Sequence, residues 1–96
     1  MIAVSVRLDG ITVFGHAGYD EHGRDIVCAG VTALVQALIR SMEDLTEDKF
    51  QYELSSGWAD IKYRDLSEQG KLLVDSFFIG ICEIAEEFPE YVMIAL

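Results

Sequence analysis

Basic residues are scarce in this chain. Seven Lys and Arg stand against seventeen Asp and Glu in 96 residues, a formal net charge of −10. Nucleic-acid binding relies on cations that neutralise phosphates, so this balance argues against a direct nucleic-acid partner. A cationic protein or peptide is better matched, because an acidic surface speeds its encounter. Proline occurs once, and no repeat or low-complexity tract is present. That leaves no linker and predicts one domain over residues 1–96. The two cysteines, Cys28 and Cys82, lie far apart and frame neither a disulfide scaffold nor a zinc knuckle, so no metal and no cofactor is expected. No unbroken apolar run approaches the roughly 18 residues of a membrane span. The longest candidate is interrupted by Asp75 and Glu83. The opening "MIAVSVRLDG" has a short apolar run and no basic lead, unlike a signal peptide. These absences predict a cytoplasmic protein with reduced thiols and no membrane partner.

What is present is the composition of a globular domain. Just over half of the residues, 51%, are hydrophobic, too many for a disordered chain. Ile2, Val4, Val6 and Leu8 alternate onto one face, which predicts a half-buried strand. Asp9-Gly10 then reads as a tight hairpin turn, with "ITVF" returning as the second strand. From Ile26 the period becomes helical. Val27, Val31, Leu34, Val35, Leu38 and Met42 share a stripe, with Asp25 placed as the N-cap, over about Ile26 to Glu43. "FQYELSS" and "WADIKYRD" form a second hairpin around Ser56-Gly57, with Ala59, Ile61 and Tyr63 on one face. Ser67 caps a second helix reaching Phe88, and "YVMIAL" ends the chain as a short strand. The order β-β-α-β-β-α-β predicts an α+β two-layer sandwich, a mostly antiparallel sheet with two helices.

The second helix is apolar on two sides. Leu73, Phe77, Ile81, Ile84 and Phe88 form a core stripe, while Val74, Phe78 and Cys82 form another around the cylinder. A second apolar face in so small a domain needs a cover, and self-association through the helical layer supplies one.

The stretch "GHAGYDEHGRDIVCAG", residues 15–30, carries the chemistry. Cys82 lies inside an apolar helix and reads as a core filler. Cys28 sits in the first turn of its helix, on the flank of the core stripe, where the dipole and free amides favour a thiolate. A nucleophilic thiol needs a base held in fixed geometry. His16, at the end of the second strand, suits this better than His22, which lies mid-loop and reads as solvated. Gly18 and Gly23 bracket a loop, with Tyr19 in it, that can hinge over a bound peptide or serve only as a connector.

These residues closely resemble the signature of the bacterial ribosomal-processing cysteine proteases, the Prp family. Its pattern is Gly-His-Ala, a loop with glycine, Asp-Ile-Val-Cys-Ala, and Ser or Thr four residues beyond the cysteine. Here Gly15, His16, Ala17, Gly23, Asp25, Ile26, Val27, Cys28, Ala29 and Thr32 fill it. Gly30 departs from the small non-glycine residue usual there. The resemblance extends over the whole chain and is specific over residues 15–34. It implies a cytosolic endopeptidase, active as a homodimer. Such an enzyme removes the N-terminal extension of the large-subunit ribosomal protein numbered twenty-seven. By matching positions Cys28 is the nucleophile and His16 the general base, with Gly15, Asp25 and Thr32 in support. Asp25 either orients His16 or only caps the helix, or does both. The residue types then give a thioester route, with first-turn amides, those of Cys28 and its neighbours, as oxyanion donors. Two rivals remain: a non-catalytic ribosome-assembly or adaptor module that binds a basic ribosomal protein, and a redox-sensing thiol protein.

Overall fold

The computed structural model describes residues 1–95. The elements follow the expected order: β1 (Ile2–Arg7), β2 (Gly10–Phe14), α1 (Ile26–Leu45), β3 (Phe50–Ser55), β4 (Trp58–Tyr63), α2 (Glu68–Glu87) and β5 (Val92–Ile94). The strand expected over residues 91–96 is thus three residues long, and position 96 lies outside the described residues. One sheet holds all five strands in the order β3-β4-β2-β1-β5. Its neighbours are antiparallel except β1 and β5, which run parallel. The chain reaches β5 by way of α2, the crossover that a parallel pair requires.

Alternation decides which sheet face is covered. Val4, Ile11 and Ile61 are fully buried, and Val13, Ala59 and Tyr63 nearly so. The first hairpin turn corrects the sequence reading. Arg7 pairs with Gly10, so the turn is Leu8-Asp9 rather than Asp9-Gly10, and Leu8, expected on the buried face, is 98% exposed. Gly10 is needed in the ladder itself, because a Cβ there would lie 2.5 Å from the Ile61 carbonyl oxygen of β4. The second hairpin turns at Ser56-Gly57 as expected, with Ser55 opposite Trp58.

Helix α1 buries Val27, Val31, Val35, Leu38, Ile39 and Met42, and Leu34 packs on the edge of this cluster. By length and composition alone α1 is apolar enough to cross a membrane. The most apolar segment is therefore α1 and not the one broken by Asp75 and Glu83. One side of α1 is packed into the core. Helix α2 is capped by Ser67, whose hydroxyl accepts from the Gly70 amide (3.1 Å) and donates to Asp48 (2.8 Å). Its buried line is Val74, Phe77 and Ile81. Val74 thus belongs to the core, whereas Phe78 and Cys82 are half-buried and stand outside the core cluster. The helices meet where both lack side chains. A Cβ on Gly30 would come 3.3 Å from Ile84, and one on Gly80 3.0 Å from Leu34. Glycine at 30 therefore allows close helix approach at a modest cost in helix propensity.

Candidate active site

The chain leaves β2 through Gly15, whose φ of +105° suits glycine. The Gly15 amide donates to the Gly57 carbonyl in the β3–β4 turn (2.8 Å), and a Cβ on Gly15 would collide with the Met1 carbonyl oxygen. His16 follows, just past the strand rather than in it. Its carbonyl accepts from the Met1 nitrogen (2.6 Å), while its ring lies over Gly57. A Cβ on Gly57 would sit 2.5 Å from His16 Nε2. With φ +71°, Gly57 is both the turn former and the empty slot into which the imidazole packs. Its place in the turn was legible from sequence. Its contact with a ring from a distant segment was not.

Cys28 is the third residue of α1, half-buried against the core. The Ala17 amide donates to its Sγ (3.3 Å). Asp25 joins loop and helix at this point. One carboxylate oxygen accepts from the Val27 and Cys28 amides (3.0 and 2.9 Å), the other from the Tyr19 and Asp20 amides (3.0 and 3.4 Å). Burial pushes the Asp25 carboxyl upward, but hydrogen bonds from Cys28, Tyr19 and Asp20 outweigh it and hold the pKa below the ordinary 3.8. Among the described residues no hydrogen bond joins Asp25 to His16, so its visible role is cap and loop anchor. The same bonds correct the expected oxyanion donors. The Val27 and Cys28 amides are taken by the Asp25 side chain, and the Ala29 amide by the Asp25 carbonyl (3.0 Å). Capping by a carboxylate saturates the first turn.

His16 and Cys28 line one open groove of about 970 Å³ between α1 and the β3–β4 hairpin. Thr32, one turn beyond Cys28, lies in the same wall, and Leu54 and Trp58 face it from the hairpin. Gly15, Gly18, Gly23 and Asp25 also line it. No hydrogen bond links the His16 ring to Sγ among the described residues; such bonds are often long until substrate is bound. Tyr19, expected over the groove, points elsewhere. Its ring packs edge-on against Phe88 (5.5 Å) and Tyr91 (5.2 Å) at the end of α2. It anchors the loop instead of lining the groove. His22 does line the groove, exposed and with no hydrogen-bond partner among the described residues. A thiol and an imidazole lining one accessible groove are the parts that thiol-nucleophile chemistry uses.

Known proteins are similar to this chain in sequence and fold. The family model described as cysteine protease Prp matches residues 1–93. The ribosomal processing cysteine protease Prp of Staphylococcus aureus (strain Mu50) is 26% identical over 87 residues, 88% of this chain and 82% of its own length. The Bacillus subtilis protein of the same name is 54% identical over 48 residues, 44% of this chain and 43% of its own. The crystal structure of the essential S. aureus protease with a covalently linked product peptide superposes with a TM-score of 0.93 at 24% identity, over 98% of this chain and 97% of that one. The Streptococcus mutans protein SMU.848 superposes at 0.79 with 32% identity, over 98% and 91%.

Proposed function

This chain belongs to the cysteine protease Prp family, and we propose that it removes the N-terminal extension of the large-subunit ribosomal protein numbered twenty-seven, with Cys28 as nucleophile and His16 as general base. The observation that carries this reading is the shared groove: Cys28 and His16 both line it, and the amide of Ala17, the residue after His16, donates to the Cys28 sulfur.

The chemistry follows from the residue types. The Cys28 sulfur attacks the scissile carbonyl carbon, and the carbonyl oxygen takes the negative charge in a tetrahedral intermediate. His16 accepts the thiol proton and passes it to the leaving amine, so the C–N bond breaks and a thioester remains. Water then gives a proton to His16 and attacks the thioester, and the thiol is regenerated. The first-turn amides are bound to the Asp25 carboxylate, whereas the Ala17 amide donates only to the reacting sulfur itself and is the better candidate to turn to the oxyanion that develops beside that sulfur. Asp25 supports by holding helix start and loop together, Gly15 by fixing the approach of His16, and Thr32 as a polar wall beside Cys28. Gly18 and Gly23, both at positive φ, give the loop its freedom around the Tyr19 anchor.

The chain acts as one protease domain, in the cytoplasm, and as a homodimer through the helical layer. Support for the dimer is the face that the core leaves uncovered: Phe78 and Cys82 half-buried, and Leu72 and Ile79 at 69% and 64% exposure. An acidic body also suits a substrate from a basic class of protein.

The test is incubation with the extended ribosomal protein and mass-spectrometric search for a new N-terminus. The native protein produces the shortened form, and Cys28→Ala binds the substrate without cutting it. Cleavage that survives Cys28→Ala, or none by the folded native protein, overturns the reading. The second outcome leaves an adaptor that binds the same partner.

A further inference from the structure

The scarce cations are not spread evenly. Four of the seven, Arg7, Lys49, Lys62 and Arg64, surround a shallow depression of about 560 Å³ at the far end of the β3–β4 hairpin. It shares no residue with the Cys28 groove, and Asp9 is the one acid lining it. Six-residue strands separate the two ends of the hairpin, on the order of 20 Å.

The clustering makes this arrangement costly as it stands. Phe50 and Tyr63 close the β3–β4 ladder, Lys49 and Arg64 flank that last pair just beyond the two strands, and Lys62 lies one position inside it, opposite Gln51. Like charges gathered around one depression repel each other. Neither Lys49 nor Arg64 has an acidic partner within salt-bridge range among the described residues. Asp48, next in sequence, is turned away to the Ser67 amide and hydroxyl (3.0 and 2.8 Å). The other two cations have only long ion pairs, Arg7 with Asp9 at 3.7 Å and Lys62 with Asp60 at 3.8 Å, which compete weakly with a ligand, although Arg7 also donates to the Ser5 and Thr12 hydroxyls (both 3.1 Å).

We propose that this end of the hairpin binds the phosphodiester backbone of a single-stranded nucleic acid without reading its bases. The cations lie on an open rim, which suits a run of phosphates. The aromatic rings beneath offer no stacking platform: Tyr63 is 5% exposed with its hydroxyl donated to the Arg7 carbonyl (3.0 Å), and Phe50 is half-buried. The overall charge of −10 does not cancel the site, because at physiological salt charges beyond about 8 Å are largely screened. Total composition argues against a nucleic-acid partner; the fold supplies a local one. This site stands whether or not Cys28 cleaves any peptide.

The test uses the full chain and a fluorescently labelled oligouridine, with anisotropy read across a salt series. Up to four neutralised phosphates give a slope of log affinity against log salt of roughly −3, at about 0.7 per phosphate on a single strand. Lys49→Glu with Arg64→Glu abolishes binding. Arg40→Glu with Lys71→Glu, the same change in net charge placed on the helices, leaves it intact. If the first pair melts well below the native protein, Lys49→Gln with Arg64→Gln replaces it and weakens binding with a shallower slope. Absence of salt-dependent binding overturns the proposal. So does equal loss in both charge-reversed pairs, or pyrophosphate binding as tightly as the oligouridine.

Discussion

Gly57 shows how one missing side chain can set the geometry of the proposed base, His16. The His16 ring has no polar partner among the described residues, yet it is confined, because it packs on the bare Cα of Gly57 while the Gly57 carbonyl holds the Gly15 amide at 2.8 Å. The expected result of Gly57→Ala is displacement of the ring and a loss of peptide cleavage of about 10²-fold, the scale of a 1 Å misplacement. The left-handed backbone adds about 1–2 kcal/mol of strain. Iodoacetamide labelling of Cys28, measured on the same sample, persists because the thiol itself is untouched. A kcat near native would assign the ring's position to some other contact. Gly15 plays the matching part on the His16 side, where no side chain fits against Met1.

At the scale of elements, Asp25 welds a loop to a helix. Its carboxylate spans four amides, two from the loop and two from α1. Replacing it by alanine removes an N-cap and costs about 0.5–2 kcal/mol. It also frees the loop, so that limited proteolysis after Arg24 speeds up. Because the folded carboxyl has its pKa held below 3.8, its contribution is fully present above that value. The contribution fades as the pH falls below 3.8 and through the folded pKa. Urea melts of the native protein and of Asp25→Ala should therefore differ by a constant amount from neutral pH down to about 4, and converge in more acidic solution. The Tyr19 clasp on Phe88 and Tyr91 is a second anchor for the same loop. With Tyr19 and Asp20 held in this way, the short stretch around His22 and Gly23 is the part left able to move.

The whole molecule is a one-sided sandwich with two unequal ends. Its sheet is covered on one face by α1 and α2, and the outer side of those helices keeps an apolar surface around Phe78. Phe78→Glu places a charge beside Asp75 on that surface, and sedimentation at micromolar concentration should show the proposed dimer become a monomer. Retention of the dimer would move the interface elsewhere. The charge distribution is also a property of this scale: the cations gather at the far end of the hairpin, away from the groove that holds Cys28 and His16.

Local pattern determined the elements, because period two and period 3.6 are written in adjacent residues: Ala59, Ile61 and Tyr63 for β4, and Val27 to Met42 for α1. Local chemistry also marked Cys28 and Asp25 at a helix start. Tertiary structure decided the rest, since each remaining fact is a meeting of distant segments. Gly10 could be drawn as a turn until Ile61 passed beside it. The spacing grouped Val74 with Phe78 and Cys82 on the second face of α2, and packing put it in the core instead. Tyr19 left the groove for rings that the chain reaches only after both helices. Side-chain type and spacing are encoded along the backbone, whereas which amide is already occupied, and which ring rests on which glycine, is settled only by packing.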